Sequence, residues 1–293
     1  MTQALMRSKH TIVFAACFVF FAGDAWTQDT KAPQSQPVAA GSSEANDTNA
    51  ANNPLEPLLT IDLQDRFASS PEGFPGRIDS QELLRVALPI DAFGLHQFVR
   101  VFLPINTTPS VQGGPNTGVG DLEIYDTLNF QVHGTTLGAG PLIAAPTARG
   151  DAYGSERWQA GAAGVAIKLE SWGLLAVLAT YQHSVSGDSS SPAGALTTVQ
   201  PFFFYHLRRG FYFRSSGVMN FDTFHHTQDI PLGTGFGKVW KGSHGDIVNL
   251  YVEPQFSVFH SGNGTPTWQL FAGVTFKIPI GERSKVPQKP VRL

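Results

Sequence analysis

The sequence predicts an all-β fold, an up-and-down antiparallel β-barrel of about twelve strands. The first observation is segment 248–260, VNLYVEPQFSVFH, where apolar and polar residues alternate almost without error. Successive side chains of a strand point to opposite sides, so this segment has one apolar and one polar face. Similar segments recur along the chain, joined by alternating short turns and longer polar loops. Only 15% of the 293 residues are charged and 22 are Phe, which favours an exterior not wholly in water. These observations together indicate a transmembrane barrel, whose strand number is usually even.

The two ends of the chain differ in composition from the part between them. Residues 1–25 predict a cleaved export signal, because basic residues precede the apolar run 11–23 and small residues follow it. The single cysteine, Cys17, lies inside that run, so neither a disulfide framework nor thiol chemistry is expected. Residues 26–54 are rich in Ala, Ser and Asn, which predicts a disordered linker, and residues 281–293 form a basic, solvated tail. The barrel is therefore expected over residues 55–280.

The first strands follow from alternation and turn signals. Segment 58–65 alternates, but its charges leave open whether it is a strand or a flap at one barrel end. Segments 82–90 and 96–103 flank a short turn and predict a hairpin. Segment 120–132 alternates again, with Asp126 as the one polar residue on its apolar face.

Later segments repeat the pattern and add aromatic residues. Segment 137–148 predicts a weak strand, and the remaining predicted strands are 158–171, 172–185, 195–207, 211–222, 233–241, 248–260 and 267–280. Aromatic residues cluster on both sides of the basic turn 208–210. Such a cluster is typical of a membrane-interface girdle, and a soluble aromatic core is the alternative. Pro254 cannot donate to a ladder, so we expect a bulge or a missing ladder bond there. This break, next to Glu253, is the first place to look for a constriction or a solute contact.

The sequence offers no strong motif for catalysis or for a cofactor. The glycine-rich segment 233–238 lacks the first glycine and the Ser or Thr of a phosphate-binding loop. His225 and His226 are adjacent and would face opposite ways in a strand, so no metal site is predicted. The net charge of -3 gives no reason to expect nucleic acid. An enzymatic alternative is a lipid hydrolase embedded in the barrel, using His183 with Ser184 or another nearby serine.

Charged residues on the predicted inner faces are the candidate functional site. A charge facing hydrocarbon at the bilayer midplane costs about 2–4 kcal/mol, so these side chains must point into the lumen. The predicted lumen-lining residues are Glu123, Lys168, Glu170, Arg214, Lys238, Glu253 and Lys277. They either line a solute path or pair with one another as a plug, and the sequence leaves both open.

The chain resembles a family of outer-membrane transporters named after a meta-pathway of phenol degradation. The resemblance covers residues 53–279, nearly the whole mature chain. Its order and spacing rest on TGVGDL at 117–122, GAGP at 138–141, WQAG at 158–161, PLGTGFGKV at 231–239 and PTWQL at 266–270, with shorter pieces that include Arg100, Pro104, 146–148, 186–188, Gln200, 249–254 and Ile278. The linker and the basic tail depart from the usual barrel pattern, in which the last strand ends on an aromatic residue.

The resemblance implies a channel or porin in the outer membrane of a Gram-negative cell that passes hydrophobic or aromatic small molecules. It supplies no catalytic or binding residues, so we expect no enzyme activity and no cofactor. The expected partners are outer-membrane lipid and a small solute, while solute identity and oligomeric state stay open. A secreted, soluble β-sandwich that binds a ligand is a further alternative.

Overall fold

A computed structural model describes residues 43–92, 94–110, 114–150, 152–187 and 193–280. They form one α-helix, a single 3-10 turn at Arg208–Gly210, and fifteen strand segments. The helix is α1 (Ser43–Asn52), and the segments are β1 (Leu59–Ser69), β2 (Ile78–Ala92), β3 (Leu95–Thr108), β4 (Asn116–Val119), β5 (Leu122–Val132), β6 (Thr135–Ala145), β7 (Arg157–Glu170), β8 (Gly173–Gly187), β9 (Ala195–His206), β10 (Phe211–Ser215), β11 (Met219–Asp222), β12 (Thr227–Gly233), β13 (Gly235–Lys241), β14 (Ile247–Ser261) and β15 (Trp268–Ile278). None of the described helices is both long and apolar enough to span a bilayer.

The segments build a closed antiparallel barrel of 12 strands, as predicted. Three barrel strands are each split in two: β4 and β5 both pair with β3, β10 and β11 both pair with β9, and β12 and β13 both pair with β14. The barrel closes where β1 pairs with β15, from Leu59 opposite Ile278 to Ala68 opposite Gln269. Segment 58–65, left open by its charges, therefore belongs to a barrel strand. Closure leaves no strand edge unpaired, which a barrel in hydrocarbon requires.

The two rims of the barrel differ in their connections. One rim, here called the turn end, carries the short connections such as 133–134 and 171–172, together with α1 and the start of β1. The opposite rim, the loop end, carries the longer connections such as 70–77 and 146–156. In outer-membrane barrels short turns face the periplasm and longer loops face outside, so these two rims have distinct environments.

Strand β14 shows most clearly how side chains divide between the two faces of the wall. Leu250, Val252, Phe256 and Val258 point outward and are 53%, 45%, 60% and 63% exposed. The alternate residues point inward and are buried; they are Asn249, Tyr251, Glu253 and Gln255. The predicted two-faced strand is confirmed. A row of exposed large apolar side chains on a closed barrel is suited to lipid contact.

Pro254 is the point where the pairing of β14 changes. On one side Pro254 lies opposite Leu270 of β15 without a break in register. On the other side the neighbouring strand is interrupted between Gly233 and Gly235, and the described pairing skips Pro254. The expected missing ladder partner is confirmed, and a separate register shift lies at Ile230/Pro231.

Two inward tyrosine rings pack over glycines of the next strand. The Tyr251 ring lies where a side chain at Gly273 would be, and the Tyr212 ring does the same at Gly237. Any larger residue at either glycine would collide with the ring. The glycines thus make room for aromatic rings inside a narrow barrel.

Helix α1 corrects the prediction of disorder for part of the linker. It lies inside the turn end, where Ala51 is buried in a core cluster with Tyr125, Leu142 and other inward residues. The helix has no apolar stripe, so its sequence gave no helical signal; contacts with the barrel stabilise it instead. The predicted export signal (1–25), the predicted linker up to residue 42 and the predicted tail (281–293) lie outside the described residues.

Candidate functional site

A cavity in the lumen, on the side of the loop end, is here called the vestibule. It has a volume of about 350 Å³, which suits a small organic molecule. Amide and hydroxyl side chains dominate its polar lining, with a few charged and aromatic residues. Its lining includes Arg66, Gln81, Leu83, Arg85, Phe102, Asp121, Glu123, Ala144, Ser155, Gln159, Leu178, Thr180, Gln182, Thr198, Gln200, Asp222 and Phe271.

A buried ion pair, Arg214 with Glu253, forms the core of a narrow layer that we call the waist. The Arg214 Nε donates to a Glu253 carboxylate oxygen at 2.8 Å, and the Glu253 side chain is fully buried. The guanidinium carbon of Arg214 also lies 3.5 Å from the centroid of the Tyr251 ring. Removing either charge would leave the other buried without a partner, so substituting one of the two residues alone should destabilise the protein.

The waist also satisfies the backbone of an interrupted strand. Residues 216–218, between β10 and β11, belong to no strand segment. The backbone N–H of Ser216 donates to the Glu253 carboxylate at 2.8 Å, and the Ser216 carbonyl accepts from Gln200 at 3.0 Å. Gln255 adds a further donor to Glu253 at 2.9 Å. Inward polar side chains therefore replace the ladder bonds that this break removes.

Helix α1, which we call the stopper, fills the turn end below the waist. The Lys277 ammonium donates to the carbonyls of Ala50 and Asn53 at 2.8 and 2.7 Å, and Arg100 donates to the Pro54 carbonyl. These carbonyls belong to the C-terminal end of the helix, where the helix dipole favours positive charge. Only about 60 Å³ of cavity remains between the stopper and the waist.

The stopper also contacts the turn-end rim. Asn49 donates to the Glu170 carbonyl at 3.2 Å and accepts from His206 at 2.9 Å. The Glu44 carboxylate accepts from the backbone N–H of Arg209 at 3.0 Å. Because these contacts reach different parts of the rim, they fix the position of the helix inside the barrel opening.

Four of the predicted lumen residues point inward. Glu123 lines the vestibule, Arg214 and Glu253 form the waist, and Lys277 holds the stopper. The structure thus brings together only Arg214 and Glu253 in direct contact. One ion pair, Arg214 with Glu253, and a polar cavity lined by Glu123 are both present in the lumen.

Three of the predicted lumen residues, Lys168, Glu170 and Lys238, point outward, and their prediction was wrong. Lys168 and Glu170 pair with each other at 3.0 Å on the outer surface at the turn end. Lys238 lies 4.4 Å from the centroid of the outward Phe211 ring. The prediction assumed that the apolar face always points out. At the turn end of β7 the apolar face, with Val165 and Ile167, instead packs into the core around the stopper.

The aromatic cluster around the 208–210 turn divides between the two faces. Phe204 and Tyr212 are 3% and 0% exposed and lie in the core. Phe203 and Tyr205 point outward and pack on Trp172, with ring centroids 5.7 and 6.2 Å apart. The outward half therefore has the position of an interface girdle, while the inward half is an aromatic core.

Several lumen residues were not identified as candidates from the sequence. Arg85 pairs with Asp62 at 2.8 Å across β1 and β2, and Arg66 donates to Gln81. Arg66 lies just beyond segment 58–65, which was not assigned to a strand, so its inward position was not predicted. Arg85 lies in the predicted strand 82–90, but the adjacent Leu83 and Leu84 put an apolar residue on each face there.

Among the described residues, His183 and Ser184 of the hydrolase alternative contact other groups. His183 packs on Tyr181 with ring centroids 5.9 Å apart. The Ser184 hydroxyl bonds instead to the Gly194 backbone. Within the described part of the chain, three or more His, Cys, Asp or Glu side chains nowhere gather as a metal site.

The sequence matches no protein-family model and no curated protein. Among solved structures, an outer-membrane channel from Pseudomonas putida F1 has a similar fold, with a TM-score of 0.53 and 14% sequence identity over 75% of this chain and 96% of that one. The β-domain of the Bordetella autotransporter BrkA is a looser match, with a TM-score of 0.41 and 14% identity over 76% and 99% of the two chains. The first of these agrees with the closed barrel described above.

Proposed function

We propose that this chain is a channel in the outer membrane of a Gram-negative cell. The observation that carries the proposal is the division of the wall into two faces. The outward row of β14 exposes Leu250, Val252, Phe256 and Val258, while its inward row is polar and buried. A surface of this kind is stable in hydrocarbon, and a polar lumen suits a solute path.

The proposal includes a route and a solute class. Solutes enter the vestibule from the loop end, and passage to the turn end requires displacement of the stopper. The solute class is hydrophobic or aromatic small molecules, as in the phenol-degradation transporters that the sequence resembles. Phe102 and Phe271 in the vestibule lining support an aromatic component. Export through a cleaved signal in residues 1–25, and a role without catalysis, complete the proposal.

Fractionation followed by planar-bilayer recording tests this function. The protein is expected in the outer-membrane fraction, with migration in detergent gels that changes on heating. Purified protein should produce discrete conductance steps in planar bilayers. Recovery of all the protein in the periplasmic fraction, or reconstituted barrels without conductance, would contradict the proposal.

A further inference from the structure

One wall of the vestibule contains a niche of hydrogen-bond acceptors. Glu123 on β5, Ala144 on β6 and Gln159 on β7 are direct cross-strand partners, so they form one inward row. Gln182 on β8 pairs with Gly161 in the next row toward the waist. The three polar side chains, Glu123, Gln159 and Gln182, all line the vestibule.

Two small residues form the floor of this niche. Ala144 is 2% exposed and sits between Glu123 and Gln159. A side chain at Gly161 would collide with the carbonyl oxygen of Tyr181, so no larger residue fits there. Ala144 and Gly161 therefore place no long side chain between the three polar residues.

The orientation of the Gln159 amide follows from its neighbour. Its Nε2 donates to the Ser155 hydroxyl oxygen at 2.8 Å, while the Ser155 hydroxyl hydrogen is directed to the Asp121 carboxylate or the Arg157 carbonyl. The amide cannot be flipped without placing two acceptors together. Its Oε1 is then a buried acceptor without a described donor.

Gln182 is the second amide of the niche. Its side chain lines the vestibule together with Glu123. The Gln182 Oε1 is likewise buried without a described donor. Two amide oxygens that lack donors, each on a residue that is 4% exposed, indicate that a ligand supplies them.

The charge of the niche is negative. Among the described residues, none of the ion pairs includes Glu123. Of the two vestibule guanidinium groups, Arg85 pairs with Asp62 at 2.8 Å and Arg66 donates to Gln81. Asp121 also lines the cavity, as does Asp222, which pairs with His225 at 2.7 Å. The missing partner should therefore be both a donor and a cation.

We infer that the niche of Glu123, Gln159 and Gln182 binds the ammonium group of a small primary amine. An ammonium group carries one positive charge and three N–H donors, which matches one carboxylate and two amide oxygens. Phe102, directly opposite Glu123 on β3, and Leu178 offer apolar surface to the body of the amine. This inference rests on the proposed channel, since it specifies the solute of that channel as a primary alkylamine that carries an aromatic ring.

Calorimetric titration of the purified full-length protein in detergent micelles at pH 7 tests the inference. The probes are benzylamine, benzyl alcohol and benzoate, which share a ring and carry a cationic, a neutral and an anionic group. Benzylamine should bind about tenfold or more tightly than benzyl alcohol, because hydrogen bonds with a charged donor are the stronger ones. Benzoate should show no binding. Equal affinity for benzylamine and either other probe would overturn the inference.

Substitutions test whether the ligand binds in the niche. E123Q keeps the shape of the side chain and removes its charge, and it should weaken benzylamine binding about tenfold or more. Q182M should weaken it by a smaller factor, because it removes one acceptor. The matched control is E170Q on the outer surface, which should leave the affinity unchanged. If E123Q fails to form a heat-modifiable barrel, Q159M and Q182M carry the test, and unchanged affinity in both overturns the inference.

Binding and conductance separate this inference from the proposed channel. Benzylamine binding without bilayer conductance would retain the niche and remove the channel. Conductance without benzylamine binding would retain the channel and remove the niche.

Discussion

The two halves of the lumen are built from the same strands but have opposite contents. The loop half holds the vestibule, lined by amides, hydroxyls and a few charges, with a volume of about 350 Å³. The turn half holds the stopper, an aromatic and aliphatic core, and a residual cavity of about 60 Å³. The waist, Arg214 with Glu253, separates them.

This difference shows that the inward face of a barrel strand is not polar as a rule. Its character follows from what it contacts. Next to the stopper the inward face is apolar at Val165 and Ile167, whereas along the vestibule it is polar at Thr180 and Gln182. The outward face, in turn, can carry a charged residue at the rims, where the Lys168 side chain is half exposed.

The largest expected effect comes from breaking the boundary between the halves. Arg214→Met leaves the fully buried Glu253 carboxylate without its cation, so the free energy of unfolding should fall by about 3–5 kcal/mol. Denaturant titration of the reconstituted barrel, followed by heat-modifiable gel migration, measures it. The double variant Arg214→Met with Glu253→Gln should recover part of the loss. A single variant as stable as the natural protein would mean that the waist does not depend on this pair.

The second prediction compares the two faces of the wall directly. Val252→Lys places a charge on the lipid side of β14 and should cost about 2–4 kcal/mol if that position is near the bilayer midplane. Thr198→Lys places the same charge in the vestibule. It should cost about 1 kcal/mol, chiefly through the lost hydrogen bond to Thr180. Denaturant titration in lipid vesicles should therefore rank the two variants, and equal losses would argue against a lipid-facing β14.

The third prediction loosens the stopper. Lys277→Met removes two charged hydrogen bonds to the helix C-terminus, a loss of about 1.5–3 kcal/mol. The population with the stopper released should rise about ten- to a hundredfold, seen as more frequent open events in bilayer recordings. Lys241→Met is the matched control, since its pair with Asp47 is solvent-exposed and should contribute about 1 kcal/mol or less. Identical recordings from the natural protein and Lys277→Met would mean that α1 does not limit conductance.

The smallest effect is expected at the corrected positions. Lys168→Gln removes a half-exposed outer pair and should change stability by about 0–1 kcal/mol, with unchanged conductance and ion selectivity. Glu123→Gln, on the inner face, should instead reduce the preference of the channel for cations. Reversal potentials under a salt gradient measure both variants. If Lys168→Gln shifted the reversal potential as much as Glu123→Gln, the Lys168 side chain would have to face the lumen.

The strand pattern and closure could be predicted because alternation is a local property. Segments 120–132 and 248–260 each hold enough residues to show both faces, and the structure agrees with them. Charge on an alternating strand identified Glu123, Arg214, Glu253 and Lys277 for the same reason. The strand count followed from spacing, although three barrel strands are interrupted.

The stopper and the three outward residues could not be predicted because they depend on contacts far apart in sequence. Residues 43–52 form a helix through contacts with strands more than a hundred residues away, including the Lys277 ammonium and the Glu170 carbonyl. Once that helix is present, the apolar face of β7 turns inward and Lys168 and Glu170 turn outward. The missed helix therefore accounts for the wrong predictions at Lys168 and Glu170.

The bonds from Lys277 to the stopper join the first described helix to the last strand of the chain. β15 is also the strand that closes the ring against β1. During synthesis α1 emerges long before β15, so the helix must wait without its final partner until the C-terminal strand arrives. Barrel closure and the Lys277 bonds to the helix both require β15, so a chain truncated before β15 would lose both.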